Sequence, residues 1–186
     1  MTTTFAPTVP TTAAPAAAPA DPAADPPPYS FDGSVPPPPV VDRGDDFDAV
    51  YRSFERYLKW LVAHRPDPEL LRAIGWKGGE FLTSRQEGLR WLADRDRRYY
   101  EVGSRVERVE VAGRYEPLGP FGPRVDLRVH HAGGHGFLVE RDGTVVDEAD
   151  VPDQSTWLVS LLSSPGGPWR IGAIYPVGPT DTVVEL

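Results

Sequence analysis

Between residues 46 and 64 the apolar positions recur every three or four residues. Val50, Tyr51, Phe54, Leu58, Leu61 and Val62 form one stripe, and Tyr57 and Trp60 widen it. That period predicts an amphipathic helix. Asp45, Asp46 and Asp48 place capping side chains and negative charge at its start. Arg65-Pro66 stops it, because the residue before a proline avoids the helical region. Asp67-Pro68-Glu69 opens a second, short helix with Leu70, Leu71 and Ile74, ended by Gly75. Residues 76–82, with Gly78-Gly79, read as a loop or short edge strand. Ser84 and Glu87 form a capping box for a third helix. It carries Leu89, Trp91 and Leu92, then a charged group over 94–98, and ends at Tyr99 and Tyr100.

From Gly103 the period changes to two. Residues 105–111 predict a strand with a bulge, because Val106 falls out of step with Val109 and Val111. After a turn-rich connection over 116–123, residues 124–131 alternate cleanly. Val125, Leu127, Val129 and His131 share one face; Asp126, Arg128 and His130 share the other. Ala132-Gly133-Gly134 reads as a turn. Strands over 135–141 and 144–147 meet at Asp142-Gly143, a two-residue hairpin signal. A last hairpin spans 155–177, two β-branched and aromatic runs around Ser-Ser-Pro-Gly-Gly-Pro. Trp157, Val159 and Leu161 share a face with Trp169, Ile171, Ala173 and Tyr175, whereas Leu158, Leu162 and Ile174 fall on the other. Helices followed by an antiparallel meander define an α+β fold, N-terminal helices packed on a curved antiparallel sheet.

Composition changes this picture mainly at the N-terminus. More than half of the 22 prolines among 186 residues precede residue 42. Residues 1–45 are expected to be a disordered Pro/Ala-rich arm, 46–178 one domain and 179–186 a tail. Pro26-Pro27-Pro28-Tyr29 and the run over 36–39 favour polyproline II, a form that docks on aromatic grooves; a protein partner through the arm and a plain spacer are both open. A net charge of −8 with no basic cluster argues against nucleic acid. With no cysteine there are no disulfides, thiolate nucleophiles or Cys-based zinc sites. The N-terminus lacks the form of a signal peptide, and no run is long and apolar enough to span a membrane. A soluble cytoplasmic protein is expected.

The order of elements, with the ending Trp-Leu-Val-Ser-Leu-Leu and then Gly-Pro-Trp-Arg-Ile-Gly-Ala-Ile, resembles the NTF2-like (SnoaL-like, cystatin-like cone) superfamily. The stretch over 157–174 is similar to that of small actinobacterial proteins of unknown function, and the resemblance covers about 46–178. It implies a cone whose helices and concave sheet enclose a pocket, often with a dimer across the sheet's outer face. It implies no single activity, since members include isomerases, dehydratases and non-catalytic modules.

Enzymes of that superfamily typically pair a carboxylate or histidine base with a tyrosine or second acid inside the cone. His131 is in phase with the apolar face, and Tyr99 or Tyr100 is its candidate hydroxyl partner. Trp76, beside Gly78-Gly79, is a candidate for the pocket rim. Asp126 alternates away from Val125 and Leu127, so no carboxylate falls in phase with the interior and no catalytic residue is assigned. His130 and His131 point to opposite faces, and with His135 beyond a turn they make no metal site. Neither glycine cluster has the setting of a phosphate loop, and no cofactor is expected. Trp60, Trp91, Trp157 and Trp169 read as core.

The resulting expectation is a non-catalytic NTF2-like binding or assembly module with a proline-rich interaction arm. The alternative is a small enzyme of that fold (isomerase, dehydratase or polyketide-type cyclase) using His131 and a tyrosine on a small hydrophobic ligand. Leu158, Leu162 and Ile174, apolar on the outer face, predict a homodimer across it.

Overall fold

Asp46 caps the first helix, α1 (Phe47–His64), its carboxylate accepting a hydrogen bond from the Ala49 amide at 3.0 Å. The structure is a computed structural model that describes residues 34–117 and 122–178. The predicted stripe is the buried one: Val50, Phe54 and Leu61 have no exposed surface and join the core. The second helix is a single 3-10 turn, Leu70–Ala73, that buries Leu71. Ile74 and Trp76 then bond Ile171 through their backbones, covering an otherwise open sheet edge.

The third helix, α2 (Glu80–Asp94), starts at Gly79 rather than at the predicted capping box, and Ser84 lies within it. The earlier start brings Phe81 and Leu82 into the core. It also ends earlier than predicted. Asp96 adopts φ 51°, a left-handed turn that aspartate tolerates, and the chain reverses into a strand. Tyr99 and Tyr100 are therefore strand residues, not the end of a helix.

Five antiparallel strands follow: β1 (Arg97–Val102), β2 (Arg105–Tyr115), β3 (Arg124–Glu140), β4 (Val145–Leu162) and β5 (Arg170–Pro176). β3 is central. One half of it pairs with β2, the other half with β1, and β4 pairs along its opposite side. The two helices pack against this strongly curled sheet, an α+β half-barrel. The bulge expected in β2 lies between Val106 and Arg108, and a second follows Val111.

Two corrections concern the long strands. Ala132-Gly133-Gly134 is not a turn but a register shift inside one continuous β3. A β-carbon on Gly133 would sit 2.6 Å from Asp153 Cα, and one on Gly134 would collide with Ser104 N. The glycines admit neighbouring backbone, which lets the strand kink without ending. Asp142-Gly143 is thus the tip of a single long β3–β4 hairpin, with Gly143 at φ 90°. In β5 the register shifts at Gly172, so Ile171 faces Leu161 while Ala173 faces Ser160. That extra residue reverses the phase. Ile174, expected on the outer face, packs against the core, and Ala173 and Tyr175 turn the other way.

The segment just before α1 docks on the domain between Val35 and Gly44. Val35 and Val40 pack on the core from either end of the four-proline run. Trp60 Nε1 donates to the Val35 carbonyl at 2.9 Å, and Val41 N donates to Ser53 Oγ at 2.9 Å. Trp169 holds the end of the segment, its backbone N donating to Asp42 O at 2.7 Å and its indole to Gly44 O at 3.0 Å. Pro26–Tyr29, part of the turn-rich connection and the tail over 179–186 lie outside the described residues. Among the described residues no helix is long and apolar enough to cross a membrane.

Candidate functional site

A cavity of about 500 Å³ lies between the inner sheet face and the two helices, a size that suits a small organic ligand. Most of its wall is apolar, including Leu58, Val62, Leu89, Leu92, Leu138, Trp157 and Ile174. The polar part begins on α1, where Tyr51, Glu55 and Lys59 stand at successive four-residue steps and so share a face. β1 adds Tyr99 and Glu101, two residues apart on one side of the strand.

These groups are matched to one another. Lys59 Nζ lies 2.8 Å from Glu55 Oε1 and 3.3 Å from Glu101 Oε2, and it donates to the Ser104 carbonyl at 2.8 Å. The contact with Glu55 is misaligned for a hydrogen bond, so charge alone holds it. Across the cavity, the Tyr51 hydroxyl and His131 Nε2 are 3.3 Å apart, with the rings edge to face. Burial first, and then the negative charge of Glu55, push the Tyr51 phenol above its ordinary value. Burial pushes the His131 imidazole below its own. At neutral pH the phenol is therefore protonated and the ring neutral. The hydroxyl and Nε2 share one hydrogen bond, whose donor is set by the ring tautomer.

His131 and Tyr99 both line the cavity, Tyr99 from β1. The Tyr99 phenol lies over Gly136, where a β-carbon would collide with it, and burial raises its pKa. The hydroxyl that reaches His131 nevertheless belongs to Tyr51. Tyr100 stands edge-on to His64 at 6.4 Å and does not line the cavity. Trp76 does not line it either; its backbone extends the edge of β5.

Glu55 and Glu101 overturn the expectation that no carboxylate faces the interior. The Tyr51, Glu55, Lys59 spacing on the margin of the apolar stripe was the available signal for the first. Asp126 does face away from the cavity, yet it is buried, bonded by Arg124 Nη2 at 2.6 Å and by Ser160 Oγ at 2.8 Å. Trp60 and Trp169 are core as expected. Trp157 instead forms cavity wall, and Trp91 is 40% exposed there beneath the Arg95 guanidinium, 4.8 Å away. Among the described residues no group of three or more His, Cys, Asp or Glu is placed to hold a metal ion.

No protein-family model matches the sequence, and no curated protein is similar to it. Among solved structures, the intermembrane space region of the chloroplast protein ARC6 is similar at 13% identity and a TM-score of 0.49, over 73% of this chain and 98% of that one.

Proposed function

We propose that this chain is a non-catalytic binding module of the NTF2-like kind, holding a small, mainly apolar ligand in its cone. The observation that carries this reading is a largely apolar cavity in which the polar groups of α1, β1 and β3 contact one another. Both carboxylates are paired with Lys59, and His131 Nε2 is bonded to the Tyr51 hydroxyl. Such a wall binds without being poised to react. The test is a titration with a neutral fluorescent naphthylamine probe. It should saturate at one probe per chain, and Leu58→Trp, which fills the cavity, should abolish binding in a folded protein. Absence of saturable binding to the parent would refute the reading.

One observation favours the enzyme alternative, an isomerase, dehydratase or polyketide-type cyclase. A neutral imidazole within reach of a phenol becomes a base and donor pair once a ligand parts them. Deuterium exchange next to the carbonyl of a bound ketone, lost in His131→Gln while probe binding persists, would establish catalysis and displace the first reading.

The cytoplasmic setting and the arm's role as a ligand for a protein partner belong to this proposal and rest on sequence alone. So does a homodimer through the outer sheet face, now supported by Leu158 and Leu162 without Ile174.

A further inference from the structure

Four charged side chains line the cavity: Glu55, Lys59, Arg85 and Glu101. Three are committed to each other through Lys59, whose ammonium contacts both carboxylates and the Ser104 carbonyl. Arg85 makes no ion pair or side-chain hydrogen bond among the described residues. It is exposed, as are Gly88 and Trp91 on the same helix, so this wall is the solvent-open end.

Gly88 lies one turn after Arg85. A glycine inside a helix destabilises it relative to alanine, so its presence calls for a reason. Conformation supplies none, since its φ is not in the left-handed region. Packing supplies none either, because nothing lies within 4 Å of where its β-carbon would be. What the missing side chain does provide is clearance along the cavity wall between Arg85 and Trp91.

The walls set the sign of a ligand's charge by position. On the α1–β1 side two carboxylates face one ammonium, and His131 is neutral, so an added anion is disfavoured there. At the open end the charge balance is reversed by Arg85, whose planar fork matches a carboxylate. We infer that the ligand is an amphipathic anion, its acid group on Arg85 and its apolar body lying over Gly88 towards Leu92, Leu58 and Trp157. This inference rests on the cavity being a binding site.

The test compares decanoate with decan-1-ol, equal in length and differing in charge, titrated into the full chain at low salt and read by tryptophan emission and calorimetry. Both should bind once per chain, with decanoate at least about threefold tighter, the scale of one exposed ion pair. Arg85→Gln should abolish that preference, and Arg85→Lys should restore part of it. Gly88→Leu should weaken both probes several-fold while melting no lower than the parent. Equal affinity of the parent for the two probes would overturn the inference and leave the cavity as a binding site. A preference surviving Arg85→Gln, or Gly88→Leu binding like the parent, would do the same. If neither probe binds the parent, the binding reading falls as well.

Discussion

The Tyr51 hydroxyl and His131 Nε2 meet at 3.3 Å although 80 positions separate them in the chain. The contact spans the interior from the first helix to the central strand of the sheet. Tyr51 is also the most buried polar member of the cavity wall, so the pair marks its inner end.

The pair makes stability depend on pH in a definite direction. Burial holds His131 below its ordinary value of 6.5, so between its folded value and 6.5 the unfolded chain binds more protons. Stability therefore falls as pH drops through that interval and is unaffected above it. His135, raised by its bonds to Asp150 and Glu148, acts oppositely: its contribution is present below 6.5 and lost as pH rises through its folded value. Comparison with His131→Gln separates the two. Urea denaturation should show the parent losing more stability than the variant between about pH 7 and about pH 5. Equal losses would mean that the ring is solvated.

Trp169 and Trp157 differ in what their removal leaves behind. Trp169 is 9% exposed, stands edge-to-face on Phe47 at 5.3 Å and bonds Gly44, so Trp169→Ala should cost about 3–5 kcal/mol. Trp157 borders space that is already open, and Trp157→Ala only enlarges it. Its cost should fall below that of Trp169→Ala in the same urea titration. The reverse order would mean that the cavity wall, not the docked segment, anchors the domain.

The docked segment should behave as part of the fold. A chain beginning at Ser34 should melt at a higher temperature than one beginning at Phe47, because the second loses the packing of Val35 and Val40, the bond of Val35 to Trp60 and that of Val41 to Ser53. Calorimetry on the two decides this. Identical melting would make the contacts energetically silent.

The outer face predicts an oligomer. Leu158 and Leu162 are half-buried there, and Tyr175 is exposed beside them, its hydroxyl donating to Glu80 at 2.8 Å. Light scattering should give twice the chain mass of 20.4 kDa for the parent and a folded monomer for Leu158→Asp, since an apolar interface cannot hold an unpaired carboxylate. Ile174→Asp should instead destabilise the fold, because Ile174 points inward. A parent at 20.4 kDa would end the proposal.

Features that depend on a few neighbouring residues were legible in the sequence alone. The stripe of α1, its Asp46 cap, the bulge after Val106, the Asp142-Gly143 turn and the inward phase of His131 all follow from local periodicity and local conformational preference. Misreadings arose where a local signal has two physical meanings. Gly133-Gly134 suits a turn and a close backbone approach equally well. Gly172 carries no mark of the extra residue that turns Ile174 inward, and the charged stretch before Tyr99 hides the left-handed residue at Asp96. The cavity belongs to tertiary structure altogether. Glu55 and Glu101 face one another only because the sheet curls back over α1, and that curl is the sum of bulges and pairings between strands far apart in the chain. A side chain's phase along its own element says which way it points, whereas what it meets there depends on where every other element has come to lie.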